Sequence, residues 1–171
     1  EYVDRFPDLS PGRRIMAAMI AAMDDGVGLI VAELERQGRL DDTAIVFLSD
    51  NGPSRHPANW LDWSMETYYG GSAGALKGGK TSLFDGGIRS PVLLHWPARV
   101  PAGQVIAEPA QAMDLFPTVL AAAGGDPGAC ELDGLDLLPM VTAGAPSPHT
   151  CLLYPSPSPR DPRASRMPSS D

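Results

Sequence analysis

The sequence is short of cysteine, of basic residues and of long apolar runs, and each shortage removes a class of protein. Its 171 residues include two cysteines, Cys130 and Cys151, whose separation matches no zinc or thioredoxin spacing. Free thiols are therefore expected, with a single disulfide as the alternative in an oxidising compartment. Lys and Arg total 13 against 21 Asp and Glu, a formal net charge of -8, so binding of a polyanion through bulk electrostatics is excluded and no nucleic-acid partner is expected. No uninterrupted apolar run approaches the roughly 18 residues of a bilayer span, so no membrane partner is expected either. The chain opens on Glu1-Tyr2-Val3 with no initiator Met. It states nothing about targeting, and periplasmic, secreted and cytoplasmic locations all stay open.

What is present suits one packed domain: hydrophobic residues make up 43% of the chain, enough to build a core at this length. Gly and Pro number 18 each, about a fifth of the chain against an average of roughly 12%, so long loops are expected. From Ser10, an acceptable N-cap followed by Pro11, apolar residues recur at Met16, Met19, Ile20, Met23, Val27, Ile30, Val31 and Leu34. This is a helical stripe read as core, and the helix should end near Gln37 with Gly38 as a left-handed cap. Gly26 and Gly28 lie inside it and read as positions of close approach to a neighbouring strand.

Ala44-Ile45-Val46-Phe47-Leu48 has the continuous apolar character of a strand buried on both faces. It stops at Ser49-Asp50-Asn51-Gly52, the carboxyl end of a strand, where open parallel sheets place their ligands. Residues 53–79 show no period, carry Trp60, Trp63, Tyr68 and Tyr69, and end among glycines around the two lysines of the chain, Lys77 and Lys80. A loop of that length is functional or disordered. A second buried strand is expected over Pro91–Trp96, and a helix from about Asp114 to Ala123 capped by Gly124-Gly125. The last residues, Pro155 to Asp171, are Pro, Ser and Arg with Met167 as the single large apolar side chain, a composition that cannot build a core.

Taken by themselves, Asp50 and Asn51 offer oxygen ligands for a hard cation such as Ca²⁺ or Mg²⁺, and a lysine beyond a glycine-rich loop could meet an anion. By spacing alone an ordinary turn after a strand is the favoured reading of the same residues. His95, inside a strand thought buried, and His149, in a polar segment, read as structural or solvent-facing. His56, five residues past Asn51, has no firm role.

The string Ile45-Val46-Phe47-Leu48-Ser49-Asp50-Asn51-Gly52, followed by Leu76-Lys77-Gly78-Gly79-Lys80-Thr81-Ser82-Leu83-Phe84-Asp85-Gly86-Gly87-Ile88-Arg89-Ser90-Pro91, resembles the type I sulfatases, especially arylsulfatases. The likeness extends back through Ala21–Gly28 and forward through His95-Trp96-Pro97, Ala112–Thr118 and Leu132–Leu137, covering roughly residues 10–140. It implies an α/β fold, part of an alkaline-phosphatase-like sandwich with a mixed, mainly parallel sheet. Residues 1–140 would be the carboxyl-side part of the catalytic domain, and 141–171 the start of a C-terminal subdomain or a disordered, frame-shifted tail. The implied activity is hydrolysis of a small-molecule or sugar sulfate ester at a bound divalent cation, Ca²⁺ in the usual case. By position, Asp50 and Asn51 would be metal ligands, Asn51 would also face the sulfate, and Lys80 would contact the sulfate and its leaving oxygen. Lys77 reads either as a second basic contact or as a solvated loop charge, Arg89 as a loop anchor to a carboxylate, and Asp85 stands where the family usually has Glu.

The departures bound the reading. Family members make a formylglycine from a Cys/Ser-x-Pro-x-Arg motif, and no such motif occurs here; Cys151-Leu152-Leu153-Tyr154-Pro155 has its proline at the wrong offset. The paired aspartates of the family's first strand are absent as well. The chain thus reads as a carboxyl-side piece of a sulfatase, inactive alone. A phosphodiesterase or phosphonate hydrolase of the same superfamily, and a noncatalytic remnant or interaction domain, are the alternatives.

Overall fold

A computed structural model of the chain describes residues 1–54 and 71–149. His56, the aromatic residues 60–69, Cys151 and the Pro/Ser tail lie outside the described residues. The chain divides into two compact units, Glu1–Gly103 and Gln104–Asp171.

In the first unit, a 3-10 turn at Val3–Arg5 leads to α1, Pro11–Arg36. Ser10 sits extended at the N-cap and Pro11 occupies the first helical position, where its missing N–H costs nothing. The helix ends as its sequence suggests: Gly38 has φ 65°, its N–H donates to the Glu35 carbonyl and that of Arg39 to the Leu34 carbonyl. This pairing satisfies carbonyls that the helix end would otherwise orphan. The start of the chain is bound to α1 by the Arg5–Asp25 ion pair at 3.0 Å and by Arg14, whose guanidinium donates to the carbonyls of Phe6 and Pro7.

The expected core stripe is not buried. Met19, Ile20, Met23 and Ile30 are each about half exposed or more, and Ala18 is the buried residue of the helix. The reason is geometric: among the described residues α1 packs against the Val3–Arg5 turn, which is too small to cover a 26-residue helix. Gly26 and Gly28 face open space rather than a strand, so the close-approach reading is withdrawn. The helix is also long and apolar enough to cross a membrane by length and composition, although its apolar run is not continuous. Asp24 and Asp25 interrupt it, and a carboxylate at mid-bilayer costs about 2.5–3.5 kcal/mol on insertion scales.

Two strands follow, β1 at Ile45–Leu48 and β2 at Val92–His95, paired antiparallel with Ile45 opposite His95 and Leu48 opposite Val92. Among the described residues this ribbon is the whole sheet, so the mixed, mainly parallel sheet and the two-sided burial of these strands are not found. Among the described residues no element packs on the faces of the ribbon, and Phe47, Val92 and Leu93 are exposed. His95 is exposed too, the solvent-facing one of its two expected readings. Just past β2, Trp96 is buried, with the Arg99 guanidinium 4.8 Å above its ring. The Ala98 N–H donates to the Asp41 carbonyl, tying this end of β2 to the turn before β1.

The second unit is built around a carboxylate. A 3-10 turn at Ala112–Asp114 runs into α3, Leu115–Ala122, and α4 spans Leu138–Ala143. The sequence placed α3 within a residue, and Gly124 closes it at φ 83°. Asp114 is fully buried and accepts from the Gln111 and Leu135 N–H groups at 2.7 and 2.8 Å. His149 Nε2 lies 2.7 Å from the same carboxylate, with 6% of its side chain exposed. Thr118 Oγ1 donates to the Asp114 carbonyl and accepts from the Leu137 N–H. Met140 and Val141 of α4 fill the rest of this small core with Leu137 and Pro117.

Candidate functional site

The site expected from sequence lies in the first unit, where β1 ends and a glycine-rich segment returns to meet it. Two backbone hydrogen bonds join the two, Gly52 N–H to the Gly87 carbonyl at 2.8 Å and Lys80 N–H to the Pro53 carbonyl at 2.8 Å, and a third, Gly86 N–H to the Lys77 carbonyl at 2.8 Å, closes the glycine-rich segment on itself. Glycine is required here because backbone meets backbone. A methyl group on Gly52 would overlap the Gly86 carbonyl, and one on Gly87 would overlap the carbonyls of Ser82 and Gly79. Gly52, Gly79, Gly86 and Gly87 are buried accordingly, and α2, the single turn Asp85–Ile88, packs into the space their missing side chains leave.

This lattice brings Lys80 within a hydrogen bond of the residue two positions past Asn51. Asp50 and Lys80 are both exposed, and Asn51 is half-buried. The Ser49 hydroxyl donates to the Asn51 carbonyl at 2.8 Å, and Asn51 Nδ2 donates to the Gly52 carbonyl at 3.2 Å. The Asn51 amide oxygen and the exposed Asp50 carboxylate are the side-chain acceptors that this strand end carries. Lys80 stands at the second position of a four-residue turn closed by Ser82 N–H to the Gly79 carbonyl at 3.0 Å.

Lys77 and Arg89 resolve differently from their expected roles. The Lys77 ammonium sits 4.0 Å over the Phe84 ring, a cation–π contact and so more than a plain solvated charge. Arg89 is exposed and makes no ion pair among the described residues; its N–H donates to the Asp85 carbonyl. The loop is anchored by its backbone, not by a carboxylate on Arg89. Cys130 is a free, exposed thiol. Sequence reasoning missed Thr81, whose φ of 73° makes it the one non-glycine with positive φ among the described residues.

Among the described residues no three His, Cys, Asp or Glu side chains gather as a metal set. Asp50 and Asn51 offer two of the six to eight oxygens that Ca²⁺ takes. The donor chemistry suits Ca²⁺, but the set falls short of a complete site.

At the end of β1 an aspartate and an asparagine thus stand beside a lysine turn on a lattice of buried glycines. Residues 9–125 match the family model named Sulfatase, and the chain belongs to that family of sulfuric ester hydrolases. It is 39% identical over 127 residues to the steryl-sulfatase of Mus musculus, covering 74% of this chain and 20% of that enzyme. It is 35% identical over 150 residues to the arylsulfatase A of Bos taurus, covering 87% of this chain and 27% of that enzyme. Among solved structures, Ps i-CgsB in complex with k-i-k-neocarrahexaose superposes with a TM-score of 0.67 at 38% identity, over 81% of this chain and 29% of that one. The putative sulfatase yidJ of Bacteroides fragilis, with a TM-score of 0.59 at 23% identity over 85% of this chain and 33% of that one, shows the shared alkaline-phosphatase-like fold. The chain thus spans between a fifth and a third of the proteins it matches.

Proposed function

We propose that the chain is the carboxyl-side portion of a sulfuric ester hydrolase, residues 1–140 belonging to the catalytic domain, and that it carries the sulfate-facing lysine and part of the cation site. The observation that carries this reading is the backbone lattice that fastens the Lys80 turn to the strand end bearing Asp50 and Asn51. In this reading Asp50 gives a carboxylate oxygen and Asn51 its amide oxygen to a Ca²⁺ ion, with Mg²⁺ a possible substitute. The cation, when bound, would offset the negative charge of the sulfate. Lys80 places its ammonium against the leaving oxygen as the S–O bond breaks, where a fixed donor lowers the barrier most. β1 and β2 would then belong to a mixed, mainly parallel sheet in the sandwich.

The formylglycine nucleophile expected for the family has no motif in these residues, so the chain by itself is expected to turn over no ester. A sulfated sugar or a small aryl sulfate is the expected substrate class. Relatives named for N-acetylgalactosamine-6-sulfate and the neocarrahexaose complex support the sugar. A phosphodiesterase or phosphonate hydrolase is disfavoured because the relatives are named sulfatases at 34–41% identity. The test is a polypeptide joining this sequence to a Cys/Ser-x-Pro-x-Arg segment, assayed with a chromogenic sulfate and with a matched phosphodiester. Sulfate turnover lost in Lys80→Ala is the expected result. Phosphodiester turnover exceeding sulfate turnover would overturn it.

A further inference from the structure

Thr81 occupies a backbone position that its side chain disfavours. In the Gly79–Ser82 turn, Ser82 N–H reaches the Gly79 carbonyl at 3.0 Å, Lys80 keeps a negative φ, and Thr81 has φ 73°. Positive φ at the third residue alone is the type II pattern, for which glycine or asparagine is the ordinary choice. A β-branched residue there is a genuine outlier, and such strain persists when the surroundings over-determine it. The surroundings here are identifiable: the Lys80 N–H is held by the Pro53 carbonyl, and Gly87 packs so closely on the Gly79 and Ser82 carbonyls at the two ends of the turn that a methyl group on it would overlap both.

Threonine alone would prefer the type I form of this turn, in which the peptide between Lys80 and Thr81 is rotated by roughly half a turn. In the observed form Thr81 Oγ1 donates to the Lys80 carbonyl at 2.5 Å, fastening that peptide from its own side chain. We propose that Thr81 is a positioning residue that holds the Lys80–Thr81 peptide in one of its two orientations and so sets the direction from which Lys80 reaches an anion. The inference rests on the reading of Lys80 as the sulfate-facing residue. A glycine in this position would adopt the same φ without strain but would also admit the other orientation; threonine, once caged, pins it.

The test uses the whole chain, with inorganic sulfate as the probe. Relaxation dispersion of the residue 81 amide, which belongs to the Lys80–Thr81 peptide, and sulfate-dependent amide shifts across Gly79–Ser82 are compared for the unsubstituted chain, Thr81→Gly, Thr81→Val, Thr81→Ser and Lys80→Ala, with Tm recorded for each. Thr81→Gly should keep or raise Tm, while microsecond-to-millisecond exchange appears at the residue 81 amide as the two peptide orientations interconvert and sulfate affinity falls roughly fivefold through lost preorganisation. Thr81→Val, without the hydroxyl, should also lose affinity, and Thr81→Ser should restore it. A merely structural threonine would instead lose Tm and affinity together in every variant. Unchanged dispersion at residue 81 and unchanged affinity in Thr81→Gly would overturn the proposal. Unchanged sulfate binding in Lys80→Ala, or no sulfate response in the unsubstituted chain, would overturn the reading of Lys80, while the dispersion comparison would still decide the role of Thr81.

Discussion

Asp50 and Asp114 both stand in segments that resemble sulfatases, yet the two regions treat their carboxylates in opposite ways. Asp114 is buried and receives two backbone N–H groups and a histidine ring, so its oxygens are consumed in holding the second unit together. Asp50 is exposed at a strand end, beside a lattice that is rigid because backbone, not side chains, makes it. A carboxylate whose partners are all internal serves stability; one held at the rim of a rigid frame is available to a ligand. Motif resemblance alone does not separate these cases, and burial does.

The sharpest way to break the comparison is Asp114→Ala. It leaves two N–H donors and the His149 ring without their acceptor at a buried position, and each buried donor so stranded costs about 1–3 kcal/mol. The second unit should unfold at markedly lower urea, followed by circular dichroism, whereas Asp50→Ala should leave the urea midpoint nearly where it was. Equal losses in the two variants would erase the distinction.

Next in size is Lys80→Ala in a catalytically competent polypeptide containing this sequence. Losing one charge-stabilising donor should lower kcat on the order of a hundredfold, with Tm unmoved and no rescue by added calcium. Asp50→Ala should behave differently: activity falls through weaker cation affinity and partly returns as Ca²⁺ is raised. Calcium titration of both variants checks the pair of claims, and rescue of the lysine variant alone would reverse the assigned roles.

Much of the local structure was legible beforehand. Ser10-Pro11 and Gly38 bounded α1, Gly124 bounded α3, and both strands fell inside their apolar runs, because caps and breakers act within a turn or two of themselves. What failed was everything that depends on a neighbour. The Met19, Ile20, Met23 stripe and the residues of β1 and β2 are apolar enough for a core, but periodicity states that a face is apolar without stating what covers it. His149 and Asp114 meet across 35 positions, a pairing that no spacing rule announces. Thr81 was hidden for another reason: threonine carries no mark of positive φ, and the glycines around it, not its own identity, force the turn.

The smallest effect concerns a third carboxylate that lies between the two extremes. Asp25 is paired with Arg5 but exposed, and its pKa is held below the usual carboxylate value, first by the Arg5 hydrogen bond and then by that of Tyr2. A depressed folded-state pKa gives stability that is present above the unfolded value, about 3.9, and is lost as pH falls through the folded one. The pair should therefore help fasten the first residues to α1 at neutral pH and release them in acid below about pH 4. Being solvent-screened, it should act weakly. Arg5→Met should flatten the acid limb of the Tm profile slightly and leave the neutral Tm almost unchanged, measured by thermal scans from neutral to strongly acidic buffer. If pairing rather than burial governed what a carboxylate contributes here, Arg5→Met would rival Asp114→Ala at neutral pH, and the contrast between the exposed and the buried carboxylates would fail.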